Sequence, residues 1–257
     1  MTDVVADDRD AVRTITLHRP DSRNGLTGAT CQQMAALVRT APAAIRAIVV
    51  TGAGGAFCSG LDLKAALDEG PGPERERTLR EDFQGLVRTL VASDRPTIAA
   101  VDGAAAGFGC DLALACDLRI ASDRAVFGEV FAKRGLMPDG GGTWLLPRIV
   151  GLGRALELLL TGDSVGADEA YRIGLANRVV PEAELAAAAH AFAAKLAAGA
   201  PIVHRLVKQS VYEGLHGDLE SALEREASGQ LRLVTSSDFT EGLSAFLQKR
   251  EPTFTGE

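Results

Sequence analysis

The sequence lacks the segments that would mark a chain for export or for a membrane. Its first ten residues, MTDVVADDRD, are acidic and contain neither a basic stretch nor an apolar one. The most apolar part of the chain, from Thr97 to Asp117, is interrupted by Asp102 and Asp111, so it is not a run of about 20 apolar residues. We therefore expect neither export nor a membrane partner, and a cytoplasmic location.

The sequence also lacks the spacings that are typical of metal sites. It has four cysteines without a C-x-x-C pair and four histidines without ligand spacing. These residues are Cys31, Cys58, Cys110, Cys116, His18, His190, His204 and His216. We expect buried thiols and solvated imidazoles, with no metal and no separate cofactor.

Positive charge is in the minority, because 27 Lys and Arg residues stand against 34 Asp and Glu residues and leave a net charge of −7. This balance argues against a nucleic acid as partner, although a local cluster of Lys and Arg could still hold a small anionic ligand. With 257 residues, 46% of them hydrophobic, the chain is long enough for one large domain with a substantial core.

What the sequence does contain is an alternation of short β-rich runs with helical ones, which is typical of an α/β protein. The run AVRTITLHRP alternates like a strand and stops at Pro20, and Thr27 then begins an amphipathic helix. The charged stretch from Leu67 to Asp82 predicts a mobile loop. We expect the part of this loop around Pro71 to Arg80 to shape a pocket.

From Pro201 onward the pattern is helical only. A first helix runs to about Glu213, a second follows Asp218, and a third is capped by Ser237 or Asp238. We therefore expect a helical appendage after the α/β part.

Two predicted strands run into small residues and then into a helix. The first leads through GAGGAF to SGLDLK, and the second, TIAAVDG, leads through AAAGFG to CDLALACD. The first N–H groups of a helix have no partner within it and lie at its positive end, so two such ends facing each other would suit a developing oxyanion. Alternatively, the small residues only permit tight packing of strand against helix.

Four motifs in this order resemble the enoyl-CoA hydratase/isomerase (crotonase) family: LHRPDSRNGL, AFCSGLDLK, VDGAAAGFGCDLALACDLRIA and GLMPDGGGTWLLPRIVG. The resemblance runs from about Leu17 to the tail and is strongest to the epoxyphenylacetyl-CoA isomerase branch. It implies a ClpP-like spiral of ββα units in residues 1–199 and a helical trimerisation region in residues 200–257. It also implies an acyl-CoA thioester as substrate, with coenzyme A entering as part of it.

The resemblance places the two backbone N–H groups of an oxyanion hole at Leu61 and Phe108. It places contacts to coenzyme A at Arg23, Asn24, Leu26, Ser59, Gly60, Leu61, Asp62, Leu63, Lys64 and Lys249. Taken singly, the cations of this set and Arg19 could equally be solvated surface charges.

Hydratases of the family carry two glutamates, one to activate water and one to deliver a proton, and their positions align with Asp111 and Phe131. Phenylalanine cannot transfer a proton, and Asp111 could instead be an early-helix acid that stabilises the helix dipole. Isomerases of the resembled branch carry an aspartate at the position of Asp139 that moves a proton between carbons of the acyl chain. Asp139 could instead cap the helix begun by GGGTW.

The sequence therefore predicts an enoyl-CoA isomerase with Asp139 as the proton shuttle. The alternatives are a hydratase that uses Asp111, and a protein that binds acyl-CoA with little catalysis because Phe108 and Phe131 close the pocket. An apolar acyl pocket is predicted from Phe83, Leu86, Phe131, Leu136 and Trp144, for which core packing is the competing interpretation.

Apolar residues also recur at helical spacing in the tail, and so short a set of helices must bury them on the core or on another subunit. These residues are Leu219, Leu223, Leu231, Leu243 and Phe246. We expect self-association, as a homotrimer or a dimer of trimers.

Overall fold

The computed structural model describes residues 2–70 and 72–257. Its larger sheet has six strands in the order β1-β2-β3-β4-β6-β9, of which the first pair is antiparallel and the others are parallel. The strands are β1 (Val4–Arg9), β2 (Val12–Leu17), β3 (Ala47–Gly52), β4 (Thr97–Val101), β6 (Leu118–Ser122) and β9 (Arg178–Val180). A smaller sheet, ordered β5-β7-β8, contains β5 (Ala104–Ala106), β7 (Val126–Gly128) and β8 (Ser164–Gly166).

The described residues also form twelve α-helices. They are α1 (Gly28–Arg39), α2 (Leu63–Glu69), α3 (Pro73–Arg77), α4 (Gln84–Val91), α5 (Phe108–Ala115), α6 (Gly142–Val150), α7 (Leu152–Thr161), α8 (Ala167–Arg172), α9 (Leu185–Ala197), α10 (Pro201–Gly214), α11 (Leu219–Leu233) and α12 (Ser237–Gln248). Thr27 caps α1 with its side chain and forms a capping box with Thr30, as the sequence predicted for the start of this helix.

Both faces of the larger sheet are buried at its central strand β3, whose successive side chains point to opposite faces. In β3, Ile48 and Val50 belong to the main core, which also contains residues of α1, α4 and α5. Ala47 and Val49 face the other way and pack in a second cluster with Leu185, Ala189, Ala193 and Ala197 of α9. Helix α5 is buried along its whole length, so it lies inside the molecule between the two sheets and the surrounding helices.

The tail after Pro201 is helical, and α10 is anchored to the α/β part by an ion pair of 2.9 Å between Lys208 and Asp117. Asp218 caps α11, as expected, whereas α12 is capped by Ser236, one residue before the predicted cap. The division at residues 199 and 200 stays a prediction.

The stretch predicted as a mobile loop is helical instead. After α2 and α3, a π-helical turn at Thr78–Phe83 leads directly into α4. Its charges pair along the helix, as Arg80 does with Glu76 at 2.7 Å, which favours this conformation over an extended loop. Pro71 lies outside the described residues.

Among the described residues, no single helix has the length and apolar composition needed to cross a membrane. The consecutive segments Glu182–Ala197 and Pro201–Gly214 meet that criterion only together, and they are bent by 102° at their junction. One side of the first segment packs on the larger sheet.

Candidate functional site

A cavity opens where the two helix starts singled out in the sequence meet. Its volume is about 130 Å³, and most of its wall is apolar. The wall is formed by Ser59, Gly60, Leu61, Leu63, Ala66, Arg75, Thr78, Leu79, Phe83, Gly107, Phe108, Val130, Phe131, Arg134, Leu136 and Asp139. The cavity therefore combines both predicted oxyanion positions with one of the two predicted catalytic carboxylates.

The two helix starts lie side by side because the turns before them pair through their backbones. Cys58 N donates to Ala104 O at 2.9 Å, and Ala106 N donates to Cys58 O at 3.0 Å. Gly60 makes the closest approach: its φ is +90°, and a Cβ there would lie 2.7 Å from Ala106 O and 3.2 Å from Phe108 N. Any other residue at position 60 would separate the two turns.

The N–H groups of Leu61 and Phe108 donate no hydrogen bond to any of the described residues. Phe108 begins α5, where the first N–H groups have no intrahelical partner. Both residues form part of the cavity wall. The arrangement suits a carbonyl oxygen that accepts two hydrogen bonds and becomes negatively charged during a reaction.

The two segments with the predicted coenzyme A contacts run next to each other at the same place. Ser59 N donates to Arg23 O at 3.0 Å, Leu26 N donates to Gly60 O at 2.7 Å, and Asp62 N donates to Leu26 O at 2.8 Å. The structure thus brings together Arg23, Asn24 and Leu26 with the stretch from Ser59 to Lys64. Lys249 is not part of the cavity wall; it is exposed at the end of α12.

Some of these side chains already have partners within the chain. The buried Asn24 amide donates to Ala53 O at 2.8 Å and to Ala56 O at 2.7 Å, so it holds the turn that follows β3. Asp62 caps α2 and pairs with Arg19 at 2.9 Å. The predicted cations Arg23 and Lys64 are exposed.

Asp139 is half-buried in the cavity wall, and its Oδ1 atom is buried without a hydrogen-bond partner among the described residues. Burial raises the pKa of Asp139 above its usual range, although its own backbone N–H and the Arg75 guanidinium act in the opposite direction. The Gln84 amide holds the backbone in place by donating to Asp139 O at 3.2 Å.

The competing interpretation of Asp139 as a helix cap is wrong. Helix α6 begins at Gly142, its N-cap residue is Gly141, and no side chain caps it. Asp139 lies before this cap and directs no hydrogen bond to the helix start. Its carboxylate is thus available at the cavity wall, where a stronger base than an exposed aspartate is useful.

Asp111 occupies a different environment, behind the cavity wall. It is fully buried in α5, and its Oδ2 atom accepts a hydrogen bond of 2.9 Å from Gly140 N. Burial raises the pKa of Asp111 to about 7; the N–H groups of Gly140 and Gly142 lower it, and the nearby Asp139 raises it. Asp111 therefore anchors the backbone next to Asp139.

The predicted acyl pocket is only partly assembled at this cavity. Phe83, Phe131 and Leu136 lie in its wall, and Phe83 packs edge-on against Phe108 with ring centroids 4.9 Å apart. Leu86 and Trp144 are not in the wall. Leu86 is buried in the core, and the Trp144 ring stacks on the His216 ring with centroids 5.5 Å apart. For these two residues the structure favours packing.

Two residues near the cavity were missed in the sequence. Arg75, on α3, lies in the wall close enough to act on Asp139. Glu129 is buried next to Asp111. The sequence feature that could have indicated it is a carboxylate between apolar residues in VFGEVF. Within the described part of the chain, no cluster of three His, Cys, Asp or Glu side chains is arranged to hold a metal ion.

Comparisons with known proteins agree with this arrangement. Residues 7–257 match the model of a family described as enoyl-CoA hydratase/isomerase. The chain is 43% identical over 247 residues to a probable enoyl-CoA hydratase of Rhodobacter capsulatus, covering 96% of this chain and 95% of that protein. It is 38% identical over 250 residues to the 1,2-epoxyphenylacetyl-CoA isomerase of Escherichia coli, with 96% and 95% coverage.

The fold agrees with that of solved structures along the whole chain. The crystal structure of an enoyl-CoA hydratase from Bacillus anthracis superposes with a TM-score of 0.94 at 34% identity, covering 100% of both chains. The α/β fold class expected from the resemblance is thereby confirmed.

Proposed function

Because the chain belongs to the enoyl-CoA hydratase/isomerase family, we propose that it is an enoyl-CoA isomerase that moves a proton between carbons of an acyl thioester through Asp139. The relative from Escherichia coli, named as an isomerase, supports this choice. The relative from Rhodobacter capsulatus, named as a probable hydratase, keeps water addition as the competing activity.

One observation carries the proposal: Asp139 lines the cavity together with Leu61 and Phe108, whereas Asp111 is buried and does not line it. Phe131 fills the wall at the position where a hydratase of this family would carry a glutamate. A substrate held by the two N–H groups would therefore meet one carboxylate within the described wall, that of Asp139.

The reaction follows from this geometry. The thioester carbonyl oxygen accepts hydrogen bonds from Leu61 N–H and Phe108 N–H, which lowers the energy of the enolate by about 3 kcal/mol for each donor. Asp139 removes a proton from a carbon of the acyl chain, and the electron pair moves into the enolate. Protonated Asp139 then returns the same proton to another carbon, so the double bond shifts and the carboxylate is restored.

The nucleotide part of the substrate would follow the paired segments 23–26 and 59–64. Arg23 and Lys64 are exposed there, next to the two helix starts, and offer positive charge in an acidic protein. Coenzyme A would be held as part of the substrate, with Lys249 of the tail near its phosphates. Binding energy from this remote part serves to place the acyl carbons against Asp139.

The test uses aliphatic and aromatic enoyl-CoA thioesters with the double bond next to the carbonyl or one carbon further away. Incubation in deuterated water should interconvert the two isomers without a hydroxyl group in the product. Deuterium should appear on carbon in those turnovers in which the proton on Asp139 exchanges with solvent before it is returned. Asp139→Asn should lower kcat about a hundredfold or more, because it removes the base but keeps the side-chain size.

The control is Asp111→Asn, which keeps an oxygen to accept the hydrogen bond from Gly140 N and should cost much less activity. Three results would contradict the proposal. Water could add across the double bond, with Asp111→Asn inactive and Asp139→Asn active, as expected of a hydratase. Acyl-CoA could bind without turnover across the whole panel. Asp139→Asn could also leave the isomerisation rate unchanged.

A further inference from the structure

Glu129 is a buried carboxyl group to which the proposed reaction assigns no role. It follows β7 directly, and only 2% of its surface is exposed. The next two residues, Val130 and Phe131, form part of the cavity wall, whereas Glu129 does not line the cavity. A glutamate in this position needs a reason, because burying a charged carboxylate costs several kcal/mol unless it is paired.

Glu129 and Asp111 face the same small space beside Gly142. A Cβ at Gly142 would collide with Asp111 Oδ1 and would lie 3.2 Å from each carboxylate oxygen of Glu129. These three oxygens are buried, and none of them has a hydrogen-bond partner among the described residues. Two carboxyl groups thus adjoin the same space, and the donors next to them, the Gly142 N–H and the Cys110 thiol, do not complete a hydrogen bond to these oxygens.

The groups around Glu129 offer it no compensating positive charge. Burial raises the pKa of Glu129 well above its usual range, and Asp111 of α5 and Asp139 ahead of α6 raise it further. The Cys110 thiol, also on α5, is the neighbour that lowers it. The Arg75 guanidinium acts on Asp139 instead. Because two carboxylates in one apolar site cannot both be ionised cheaply, one of them keeps a proton.

The pair is connected to the reacting group through one hydrogen bond. Asp111 presents Oδ1 towards Glu129 and uses Oδ2 to hold Gly140 N at 2.9 Å. Gly140 is the residue directly after Asp139. Any rotation of the Asp111 carboxylate would therefore move the backbone that carries the proposed base.

We propose that Glu129 is a positioning residue that stays protonated beside Asp111, so that the two carboxyl groups share one proton and fix the segment carrying Asp139. This role rests on the proposed function, since its effect on activity passes through Asp139. Glu129 itself touches no substrate in this arrangement, because it is buried and does not line the cavity.

Two replacements of Glu129 separate this role from simple packing. In Glu129→Gln the amide can donate to Asp111 as the protonated acid does, and kcat at neutral pH should fall by about threefold or less. Glu129→Leu fills the space without a donor, and kcat should fall about tenfold or more with KM nearly unchanged. The Gln variant should also lose any decline of kcat at alkaline pH that comes from ionisation of Glu129. Glu184→Gln, an exposed glutamate elsewhere, is the matched control.

Infrared spectroscopy reads the proton directly and does not depend on turnover. At neutral pH the unaltered protein and Glu184→Gln should show the C=O stretch of a protonated carboxyl group that Glu129→Gln lacks. That signal in a protein without isomerase activity would count against the proposed function but support the shared proton. Absence of the signal difference, or equal kcat values for folded Glu129→Gln and Glu129→Leu in an active isomerase, would overturn the role of Glu129.

Discussion

Asp111 should make the stability of this protein depend on pH, and Asp111→Asn should remove part of that dependence. In the folded protein, burial raises the pKa of Asp111 from its usual 3.8 to about 7. The folded state therefore binds this proton more tightly than the unfolded chain does. The stabilisation of the folded state by protonated Asp111 is fully present below about pH 4 and is lost as the pH rises through about 7.

The size of the effect follows from the two pKa values. A tenfold difference in proton affinity corresponds to about 1.4 kcal/mol, so a change from 3.8 to about 7 gives about 4 kcal/mol at most. An asparagine at position 111 carries no charge at any pH in this range, and its oxygen can still accept the hydrogen bond from Gly140 N. The substitution should therefore flatten the pH dependence without opening a cavity.

The assay is urea unfolding of the unaltered protein and of Asp111→Asn at several values between about pH 4 and about pH 8. The free energy of unfolding of the variant minus that of the unaltered protein should increase by up to about 4 kcal/mol as the pH is raised across this range. Asp163→Asn is the control: Asp163 is exposed and pairs with Lys133 at 2.8 Å, which lowers its pKa, so its effect lies at more acidic pH. Parallel pH profiles for Asp111→Asn and the unaltered protein would refute the reasoning.

Two further predictions concern the tail. Lys249→Ala should raise KM for acyl-CoA and weaken its salt dependence while kcat stays nearly constant, because a contact remote from the reacting carbons stabilises ground and transition states alike; an equal effect on a truncated pantetheine thioester would contradict this. The apolar residues that recur at helical spacing in the tail predict an oligomer, since Leu219, Leu231 and Phe246 are 70%, 71% and 80% exposed in the single chain. Sedimentation at micromolar concentration should detect this oligomer, and a monomer at that concentration would contradict the prediction.

The parts of the fold that the sequence predicted well are those with local signals. The start of α1 at Thr27 and that of α11 at Asp218 were found because capping residues precede amphipathic patterns. The charged stretch from Leu67 to Asp82 was wrongly predicted to be a loop. Pairing of Arg77 and Arg80 with glutamates one turn away, and burial of Phe83, make it helical instead.

The candidate site divides in the same way. The positions of Leu61, Phe108 and Asp139 came from motifs, and the structure brings them to one cavity. Glu129 and Trp144 are near the site but do not line the cavity. Whether such a residue lines the cavity depends on the direction of its side chain. For Glu129 no periodic pattern spans the short segment after β7, so the direction of its side chain could not be predicted from the sequence.

The run of three glycines after Asp139 has a structural reason that links these residues. A Cβ at Gly140 would lie 2.6 Å from Asp111 Cβ and 2.7 Å from the Phe108 ring, and a Cβ at Gly142 would collide with Asp111 Oδ1. Larger residues at either position would push this segment away from α5 and would break the hydrogen bond from Gly140 N to Asp111. The glycines thus let the backbone rest directly on α5, which also carries the Phe108 N–H. Asp139 and one of the two oxyanion donors are therefore held at a fixed separation by backbone packing, as a proton transfer next to a bound carbonyl requires.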